Sequence, residues 1–230
     1  MNAIILCGGL STRLGEITKT CPKILLPIGP KTVLDWQLEK MRSLGITEVV
    51  LAAGHLATAV QKEVGFSRQG LEIIYAIEDK KLGTGGAIKH AWKYVRQPEE
   101  PVLVLNGDVL VAADLSSFCQ AGKEDSEGLI LGAKVPDAAS YGTLEFAEDG
   151  HLQAFKEKTG QAVSGYINGG VYFFNANLKK YFPETDEFSI EYDVFPRVRQ
   201  MYVYPTDQPW VDVGVPERLA WARKNWQIFL

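Results

Sequence analysis

An apolar run that ends in a glycine-rich loop stands close to the first residue and limits the folds open to this chain. Residues 2–6 (NAIIL) predict a buried parallel strand, and the loop GGLSTRL at 8–14 follows, with Pro22-Lys23 closing it. Glycine lets a backbone approach a ligand closely, and successive loop N–H groups can bind phosphate oxygens. The pattern indicates a phosphate-binding loop, although an exposed glycine-rich turn explains the loop alone equally well.

Strand-like apolar runs alternate with helical patterns through the first half of the chain. This alternation predicts an α/β fold with a parallel sheet and right-handed crossovers. Ligands of such sheets bind beyond the carboxyl ends of the strands, where the loops at 8–22, 78–86 and 106–110 would lie. The predicted strands are 2–6, 48–53, 71–77 and 102–105, and the predicted helices span about 33–44, 56–64 and 83–95.

The second half has a different pattern, in which strand candidates follow one another with few helices and with glycine turn signals between them. We therefore expect antiparallel strands and a lid over the first half. No linker, repeat or low-complexity segment interrupts the chain, which predicts one compact unit. The remaining predicted elements are a short extended piece at 23–28, strands at 129–135, 143–146, 152–155, 166–174 and 201–204, helices at 189–199 and 216–228, and a loop at 210–214.

Length, charge and cysteine content exclude several classes of protein. The 230 residues allow a substantial core, and the net charge of -4, without a basic tract, argues against nucleic-acid and membrane-surface binding. Three cysteines without paired spacing fit a reducing cytoplasm better than a disulfide framework. The N-terminus lacks a charged leader, and no apolar run approaches the ~20 residues of a membrane-spanning helix. We expect a cytoplasmic protein.

Two carboxylates beside apolar segments are candidates for a metal site. Asp108 lies in Asn106-Gly107-Asp108 after a predicted strand, and Asp212 is flanked by apolar residues in WVDVG. A charge in such surroundings is costly unless it is paired or metal-bound, and Mg²⁺ is usually held by one or two carboxylates plus phosphate oxygens. For Asn106-Gly107-Asp108 alone, an ordinary turn is the simpler interpretation.

Two motifs of the second half are less specific. Glu157-Lys158 follows an apolar strand-like run, and an exposed hairpin end would also explain it. Asn168-Gly169-Gly170 places an amide and two glycines inside a strand-like run, where glycine marks either a close ligand approach or a packing bulge. The three histidines share no ligand spacing and accompany no nucleophile, so we interpret them as structural or exposed.

Taken together, these motifs resemble the sugar-1-phosphate nucleotidyltransferase family. The family signature Gly-Gly-x-Gly-Thr-Arg-Leu, followed by Pro-Lys, matches GGLSTRL and Pro22-Lys23, with Ser11 where the family usually has glycine. The similarity runs in order along nearly the whole chain, and within the family it is greatest to D-glycero-D-manno-heptose 1-phosphate guanylyltransferases. The further matching motifs are LGTGGAI at 82–88, NGD at 106–108, YGT at 141–143, FKEK at 155–158, INGGVY at 167–172 and DVG at 212–214.

The resemblance implies a fold and a reaction. The fold is a Rossmann-like three-layer sandwich with a mixed, mostly parallel central sheet and an antiparallel sugar-binding lid. Its one catalytic domain (1–230) has a nucleotide-binding half at about 1–110 and a sugar-phosphate-binding half at about 111–230. In the reaction, a nucleoside triphosphate and a sugar 1-phosphate, here GTP and a heptose 1-phosphate, give a nucleotide sugar and pyrophosphate with Mg²⁺ or Mn²⁺. In-line attack on the α-phosphorus needs alignment and charge neutralisation, and no side-chain nucleophile.

The resemblance also assigns roles to residues of this chain. Arg13 is expected on the β/γ-phosphates and the leaving pyrophosphate, and Lys23 between the α-phosphate and the incoming phosphate. Asp108 and Asp212 are the expected metal ligands. The other expected contacts are Leu6, Gly8, Gly9, Ser11, Thr12, Glu78, Gly83, Thr84, Asn106 and Gly107 for the nucleotide, and Gly142, Glu157, Lys158, Asn168 and Gly169 for the sugar phosphate.

Glu78 bears on the choice of base. Family members that use uridine or thymidine nucleotides often place glutamine five residues before the loop glycine, where this chain has Glu78 before Gly83. A carboxylate only accepts hydrogen bonds. Guanine presents two adjacent donors, N1–H and N2–H₂, whereas uracil presents one donor beside carbonyl oxygens. Glu78 therefore favours GTP, and the amino group of cytosine leaves CTP open.

Three other interpretations compete with this one. The first is a uridylyl- or cytidylyltransferase for another hexose or amino-sugar 1-phosphate. The second is a nucleotide-sugar-sensing regulatory subunit, which should have lost Arg13, Lys23, Asp108 or Asp212, and all four are present. The third is a dinucleotide-dependent oxidoreductase, which the missing Gly-x-Gly-x-x-Gly motif disfavours. The aromatic residues of the predicted C-terminal helix, Trp221, Trp226 and Phe229, could pack on a second copy, which allows a homodimer.

Overall fold

The computed structural model of this chain describes residues 1–9, 12–122, 126–156 and 163–230. Its strands are β1 (Asn2–Leu6), β2 (Pro27–Ile28), β3 (Lys31–Thr32), β4 (Glu48–Ala53), β5 (Ser67–Arg68), β6 (Leu71–Ile77), β7 (Val102–Asn106), β8 (Val109–Val111), β9 (Gly128–Val135), β10 (Thr143–Phe146), β11 (Leu152–Lys156), β12 (Gly165–Phe174), β13 (Met201–Thr206) and β14 (Trp210–Asp212). Its α-helices are α1 (Ile17–Thr20), α2 (Val33–Ser43), α3 (Ala57–Val64), α4 (Gly83–Ala91), α5 (Leu115–Gln120) and α6 (Pro216–Lys224). Every helix in these ranges falls short of the length and apolarity that a bilayer span requires.

In the described ranges, ten of these strands form one sheet that runs through both halves of the chain. Its centre is parallel, in the order β7, β1, β4 and β6. The strand β12 pairs with β7 in antiparallel register, and β9 and β10 pair with β12. The predicted α/β fold with a mixed sheet is confirmed, and the predicted antiparallel strands extend the sheet of the first half.

Alternating side chains of the central strands explain the layers on the two faces of the sheet. Ile5 shares a buried cluster with Leu34 and Leu38 of α2. Its neighbour Ile4 points to the opposite face and shares a second cluster with Ile88 of α4. Each fully buried side chain of this size stabilises the fold by about 1.5–3 kcal/mol. The parallel centre therefore holds its carboxyl ends in a fixed arrangement between two helical layers.

Three predictions of local structure were wrong. Lys23–Leu25 forms a 3-10 turn, and the extended piece is limited to β2. The predicted helix at 189–199 is a π-helical turn, Ile190–Val194, followed by a 3-10 turn. The predicted loop at 210–214 contains β14, which pairs with β8 in antiparallel register. Contacts with residues that are distant in the sequence fix the conformation of such short segments. Local sequence patterns give no information about those contacts.

The C-terminal helix is shorter than expected. The α-helix α6 ends at Lys224, and a separate 3-10 turn, Trp226–Phe229, follows it. The ring of Trp226 packs against Gly29, whose φ is +62°, and lies 6.1 Å from the ring of Trp36. The end of the chain is thus packed onto the segment that precedes α2.

Candidate active site

A cavity of ≈330 Å³ opens beyond the carboxyl ends of β1, β4, β6 and β7. This is the place where open parallel sheets bind ligands, because the loops of neighbouring strands meet at one edge. The structure brings ten of the predicted site residues to this cavity: Leu6, Gly8, Gly9, Lys23, Glu78, Gly83, Thr84, Asn106, Gly107 and Asp108.

Glycines let the strand ends come close together. The Gly107 N–H donates to the carbonyl of Leu6 at 2.8 Å, and a Cβ at Gly107 would lie only 2.6 Å from that oxygen. A Cβ at Gly8 would lie 3.2 Å from the backbone N of Gly54 and 3.3 Å from Oε1 of Glu78. The glycine-rich loop therefore runs directly alongside the Glu78 carboxylate.

Glu78 follows the last residue of β6, where its N–H donates to the carbonyl of Ala53 at 2.8 Å. Burial raises the pKa of Glu78 above its ordinary value, and a hydrogen bond from the Leu82 N–H opposes that shift. Beside it, burial and then the charge of Glu78 raise the pKa of the Cys7 thiol to about 12. Cys7 is accordingly a neutral thiol at physiological pH, and it donates to the carbonyl of Ala52 at 3.2 Å.

The glycine run at the start of α4 serves helix packing as well as the cavity. A Cβ at Gly85 would lie 2.3 Å from the ring of Phe188, and one at Gly86 would lie 2.0 Å from the carbonyl of Asp186. Thr84 Oγ1 donates to Glu191 Oε2 at 2.6 Å and accepts from the Ile190 N–H at 3.0 Å. The same segment therefore lines the cavity with Gly83 and Thr84 and holds α4 against residues 186–191.

Asp108 is held at the cavity by contacts from two other segments. Lys23 Nζ donates to Asp108 Oδ2 at 2.6 Å. Gln37 of α2 is buried, and its Nε2 donates to the carbonyls of Asn106 at 2.8 Å and Val109 at 2.9 Å. Because these carbonyls flank Gly107-Asp108, Gln37 fixes the turn that presents the Asp108 carboxylate. No motif in the sequence marks Gln37 for this task.

The β8–β14 ladder brings the second carboxylate beside the first. Asp212 is paired with Val109, and the Val213 N–H donates to the carbonyl of Asp108 at 2.8 Å. The Asp212 side chain accepts from the Gly214 N–H at 3.0 Å and pairs with Arg218 Nη1 at 2.6 Å.

Electrostatics distinguish Asp212 from its neighbour. Burial, then the nearby charge of Asp108, raise the pKa of Asp212 to about 6, against the opposing effects of the Gly214 N–H and the charges of Arg13 and Lys23. Two carboxylates that face each other in this way repel each other when both are ionised. An added cation would relieve that repulsion.

The donor atoms of the two carboxylates suit a divalent metal ion. A Cβ at Gly214 would lie 2.8 Å from Asp212 Oδ1, 3.4 Å from Arg13 Nη2 and 3.6 Å from Asp108 Oδ2, so this glycine lets both carboxylates and the Arg13 guanidinium come close together. Carboxylate oxygens are the donors that Mg²⁺ and Mn²⁺ prefer. Among the described residues, no cluster of three or more His, Cys, Asp or Glu side chains forms a complete protein ligand set. The donor set therefore matches a metal whose other ligands come from phosphates and water.

A second cavity, of ≈500 Å³, lies beside the Arg218–Asp212 ion pair and is lined by Arg13, Asp137, Ser140, Tyr141, Val215 and Arg218. Burial, then the charge of Arg13, lower the pKa of Arg218 below its ordinary value. Sequence reasoning missed Arg218, because it lies on a helix outside every recognised motif. The one available signal was its position six residues after Asp212.

The predicted sugar-phosphate residues have different surroundings. Gly142 follows Tyr141, and a Cβ there would lie 2.6 Å from the ring of Phe155. Asn168 accepts from the Gly170 N–H at 3.0 Å and donates to the Tyr172 hydroxyl at 2.9 Å. In the part of the chain that the structure describes, Asn168 borders neither cavity.

Gly169 and Gly170 form a bulge beside the site. The Gly169 carbonyl accepts from Trp210 Nε1 at 2.8 Å. Gly170 has φ +67°, and a Cβ there would lie 2.6 Å from Nδ2 of Asn106. Gly169 also borders neither cavity within the described ranges, and these contacts fit the packing-bulge alternative.

Four of the predicted contacts lie wholly or partly outside the described residues. Ser11, Glu157 and Lys158 are among the residues that the structure does not describe, and for Thr12 only the backbone is described, at the start of a 3-10 turn. Their roles stay predictions.

Residues 2–227 match the model of the family described as nucleotidyl transferase. The chain belongs to this family. It is 33% identical to the D-glycero-alpha-D-manno-heptose 1-phosphate guanylyltransferase of Aneurinibacillus thermoaerophilus, with 100% of both chains covered. It is 34% identical to the mannose-1-phosphate guanylyltransferase catalytic subunit beta of Drosophila melanogaster over 94% of this chain, but it spans only 60% of that relative.

Solved structures give the same assignment. HddC from Yersinia pseudotuberculosis, in a crystal structure complexed with GMP-PN, superposes with a TM-score of 0.85 at 30% identity, covering 98% of this chain and 99% of that one. The fold and the cavity beyond the parallel strands are thus those of a nucleotidyl transferase.

Proposed function

We propose that this protein transfers the guanylyl group of GTP to a heptose 1-phosphate, giving GDP-heptose and pyrophosphate. The observation that carries the proposal is the meeting of Glu78, the glycine loop, Lys23 and Asp108 in one cavity. The similarity of this chain to a heptose 1-phosphate guanylyltransferase and to HddC complexed with GMP-PN supports the proposal.

Glu78 selects the base. Its carboxylate accepts hydrogen bonds from N1–H and N2–H₂ of guanine, while the carbonyl oxygens of uracil would be repelled. The Leu82 N–H opposes the effect of burial on the Glu78 pKa and thereby favours the ionised form that guanine needs. Gly8 lies against the same carboxylate, so the base and the start of the phosphate loop are held together.

The cationic side chains align two polyanions. An oxygen of the sugar phosphate forms a bond to the α-phosphorus, the bond from that phosphorus to the β-phosphate bridging oxygen breaks, and pyrophosphate leaves with the electron pair. Lys23 neutralises the α-phosphate and the incoming phosphate, and Arg13 neutralises the leaving pyrophosphate. Alignment and charge neutralisation of this kind supply most of the catalysis in phosphoryl-type transfers.

Asp108 and Asp212 would hold the metal ion, Mg²⁺ or Mn²⁺. When bound, the ion would supply positive charge to the phosphate oxygens. Lys23 keeps Asp108 in place through its 2.6 Å contact, and Arg218 does the same for Asp212. Gly142, Glu157 and Lys158 remain the proposed contacts on the acceptor side, whereas Asn168 and Gly169, which border neither cavity within the described ranges, are proposed to shape that side through packing.

The proposal includes the domain organisation, the cellular location and the oligomeric state of the protein. The chain acts as one catalytic domain in the cytoplasm, with its nucleotide half at about 1–110 and its acceptor half at about 111–230. Of the three aromatic residues expected to contact a second copy, Phe229 is buried and Trp226 packs on Gly29. The exposed Trp221, 44% accessible, and the nearby Ile228, 39% accessible, support a homodimer through the C-terminal segment. Sedimentation velocity would measure the mass in solution, and a monomer at all concentrations would contradict the dimer.

Pyrophosphate release with GTP and a panel of acceptors tests the function. We expect the highest kcat/KM with D-glycero-α-D-manno-heptose 1-phosphate, and lower values with mannose 1-phosphate and glucose 1-phosphate. Preference for mannose 1-phosphate would overturn the heptose assignment and leave guanylyl transfer standing. No pyrophosphate with any acceptor would contradict the transferase itself.

A further inference from the structure

We propose that Arg218 binds the phosphate group of the acceptor sugar 1-phosphate in the ≈500 Å³ cavity that it shares with Arg13. This inference rests on the proposed guanylyl transfer, because it assigns a second substrate to a second cavity. The volume falls within the range of about 300–1,000 Å³ that is usual for small-molecule sites.

The side chains around this cavity match the two ends of a sugar phosphate. The guanidinium of Arg218 carries a charge that attracts phosphate oxygens, and Arg13, which is proposed for the leaving pyrophosphate, adds positive charge to the same cavity. Ser140 and Asp137 are exposed at the same cavity and offer a hydroxyl and a carboxylate to sugar hydroxyl groups. A carboxylate accepts from hydroxyls but repels pyrophosphate, so Asp137 favours a ligand that has both a phosphate and free hydroxyls.

The guanidinium of Arg218 is held in position from two sides. Its Nη1 pairs with Asp212 Oδ2 at 2.6 Å and also contacts the Tyr141 hydroxyl. The Tyr141 ring lies 5.0 Å from the guanidinium carbon, and it packs edge-on against Trp210 at 5.6 Å. Arg218 Nε is enclosed without a hydrogen-bond partner among the described residues, so it offers no donor to a ligand, and both polar contacts named above use Nη1. Arg218 is therefore a cation fixed in place at the edge of the cavity.

The position of Arg218 suits an attacking group. Asp212 lies between Arg218 and the space that it shares with Asp108, and Asp108 borders the nucleotide cavity. A phosphate bound by Arg218 would thus stand beside the proposed metal site. Tyr141 lines this cavity and precedes Gly142, which was predicted from the sequence as an acceptor contact. The cavity and the prediction therefore assign the acceptor to the same segment of the chain.

The test compares Arg218→Gln and Arg218→Lys with Lys224→Gln, which removes an exposed positive charge from the last turn of the same helix. Calorimetric titration of D-glycero-α-D-manno-heptose 1-phosphate measures acceptor binding directly, with Mg²⁺ and a non-hydrolysable GTP analogue present. We expect R218Q to weaken that binding about tenfold or more, as loss of a hydrogen bond to a charged group does. R218K should recover part of the loss, and Lys224→Gln should bind as the unmodified protein does. Steady-state kinetics should show a matching rise in KM for the acceptor, with KM for GTP changed by about twofold or less.

Other outcomes overturn the proposal. Unchanged acceptor binding with a lower kcat would mean that Arg218 only positions Asp212. A rise in KM for GTP alone would assign Arg218 to the triphosphate. If the unmodified protein itself neither binds the heptose phosphate nor releases pyrophosphate, the proposed function fails, which is a different result from a failure at Arg218. Thermal unfolding of R218Q separates these cases from loss of the fold, and R218K supplies the comparison if R218Q does not fold.

Discussion

The proposed nucleotide side and the proposed acceptor side of this site are built in different ways. On the nucleotide side, residues stand directly at the carboxyl ends of parallel strands, as Gly8 does after β1 and Glu78 after β6. On the acceptor side, contacts between distant segments assemble the cavity, such as the Arg218 contact with Tyr141 and the β8–β14 ladder. Changes on the nucleotide side should therefore act locally on one substrate, whereas changes on the acceptor side should also disturb the metal site through Asp212.

Removing either carboxylate should have the largest effect, because the proposed metal site lies where the two sides meet. We expect Asp108→Asn and Asp212→Asn each to lower kcat by about 10³-fold, corresponding to several kcal/mol of charge stabilisation. Pyrophosphate release at saturating GTP, acceptor and Mg²⁺ measures this. Glu217→Gln, which changes an exposed carboxylate on α6, should retain full activity. Near-normal turnover of either asparagine variant would remove that residue from the metal site.

Lys23→Ala should have the next largest effect. Lys23 is proposed to act on the reacting phosphates, and its loss should lower kcat by about 10²-fold. Its effect on GTP binding should be smaller than its effect on turnover, since the charge matters most in the transition state. The control is Lys62→Ala on the exposed side of α3. Equal losses in binding and turnover would reduce Lys23 to a binding contact.

Glu78→Gln tests the nucleotide side by itself. An amide donates as well as accepts, so we expect kcat/KM for GTP to fall about 10–100-fold, as for loss of a charged hydrogen bond. The KM for the acceptor should not change, and turnover with UTP should rise relative to GTP. Glu148→Gln, an exposed change of the same chemistry, is the control. An altered acceptor KM would show that Glu78 acts on both substrates and not on the nucleotide alone.

The smallest predicted effect is a pH dependence of metal binding. The pKa of Asp212 is raised to about 6, and a protonated carboxyl does not bind Mg²⁺ or Mn²⁺. The metal Kd should therefore rise as the pH falls, by about fourfold between pH 7.5 and pH 5.5 for a group with a pKa of about 6. Mn²⁺ titration followed by electron paramagnetic resonance measures it without turnover. A Kd that does not change over this range would contradict the account of Asp212.

The difference between the nucleotide side and the acceptor side also explains which site residues could be predicted from the sequence. The fold class makes strand ends neighbours, so Gly8, Glu78 and Asp108 could be assigned to one cavity from the alternation of strands and helices. Gln37 could not, because its contacts with two backbone carbonyls depend on how α2 packs on the sheet.

On the acceptor side, local sequence patterns predict even fewer of the contacts that form the cavity. The segment around Asp212 was predicted as a loop because its strand partner lies about a hundred residues earlier in the chain. Arg218 belongs to no motif, and only the ladder and α6 bring it to Asp212. The glycines at 85–86 were predicted only as the start of a helix, and their close contacts with Phe188 and Asp186 depend on how α4 packs against a segment about a hundred residues later.

Competition among nucleotides tests the central claim most directly. In one sample, equal concentrations of GTP, CTP, UTP and ATP would compete for D-glycero-α-D-manno-heptose 1-phosphate with Mg²⁺, and chromatography with mass spectrometry would quantify each nucleotide sugar. We expect GDP-heptose to exceed the other three products together, and to lose that lead in Glu78→Gln. A mixture dominated by UDP- or CDP-heptose, or one with no nucleotide sugar, would contradict the account.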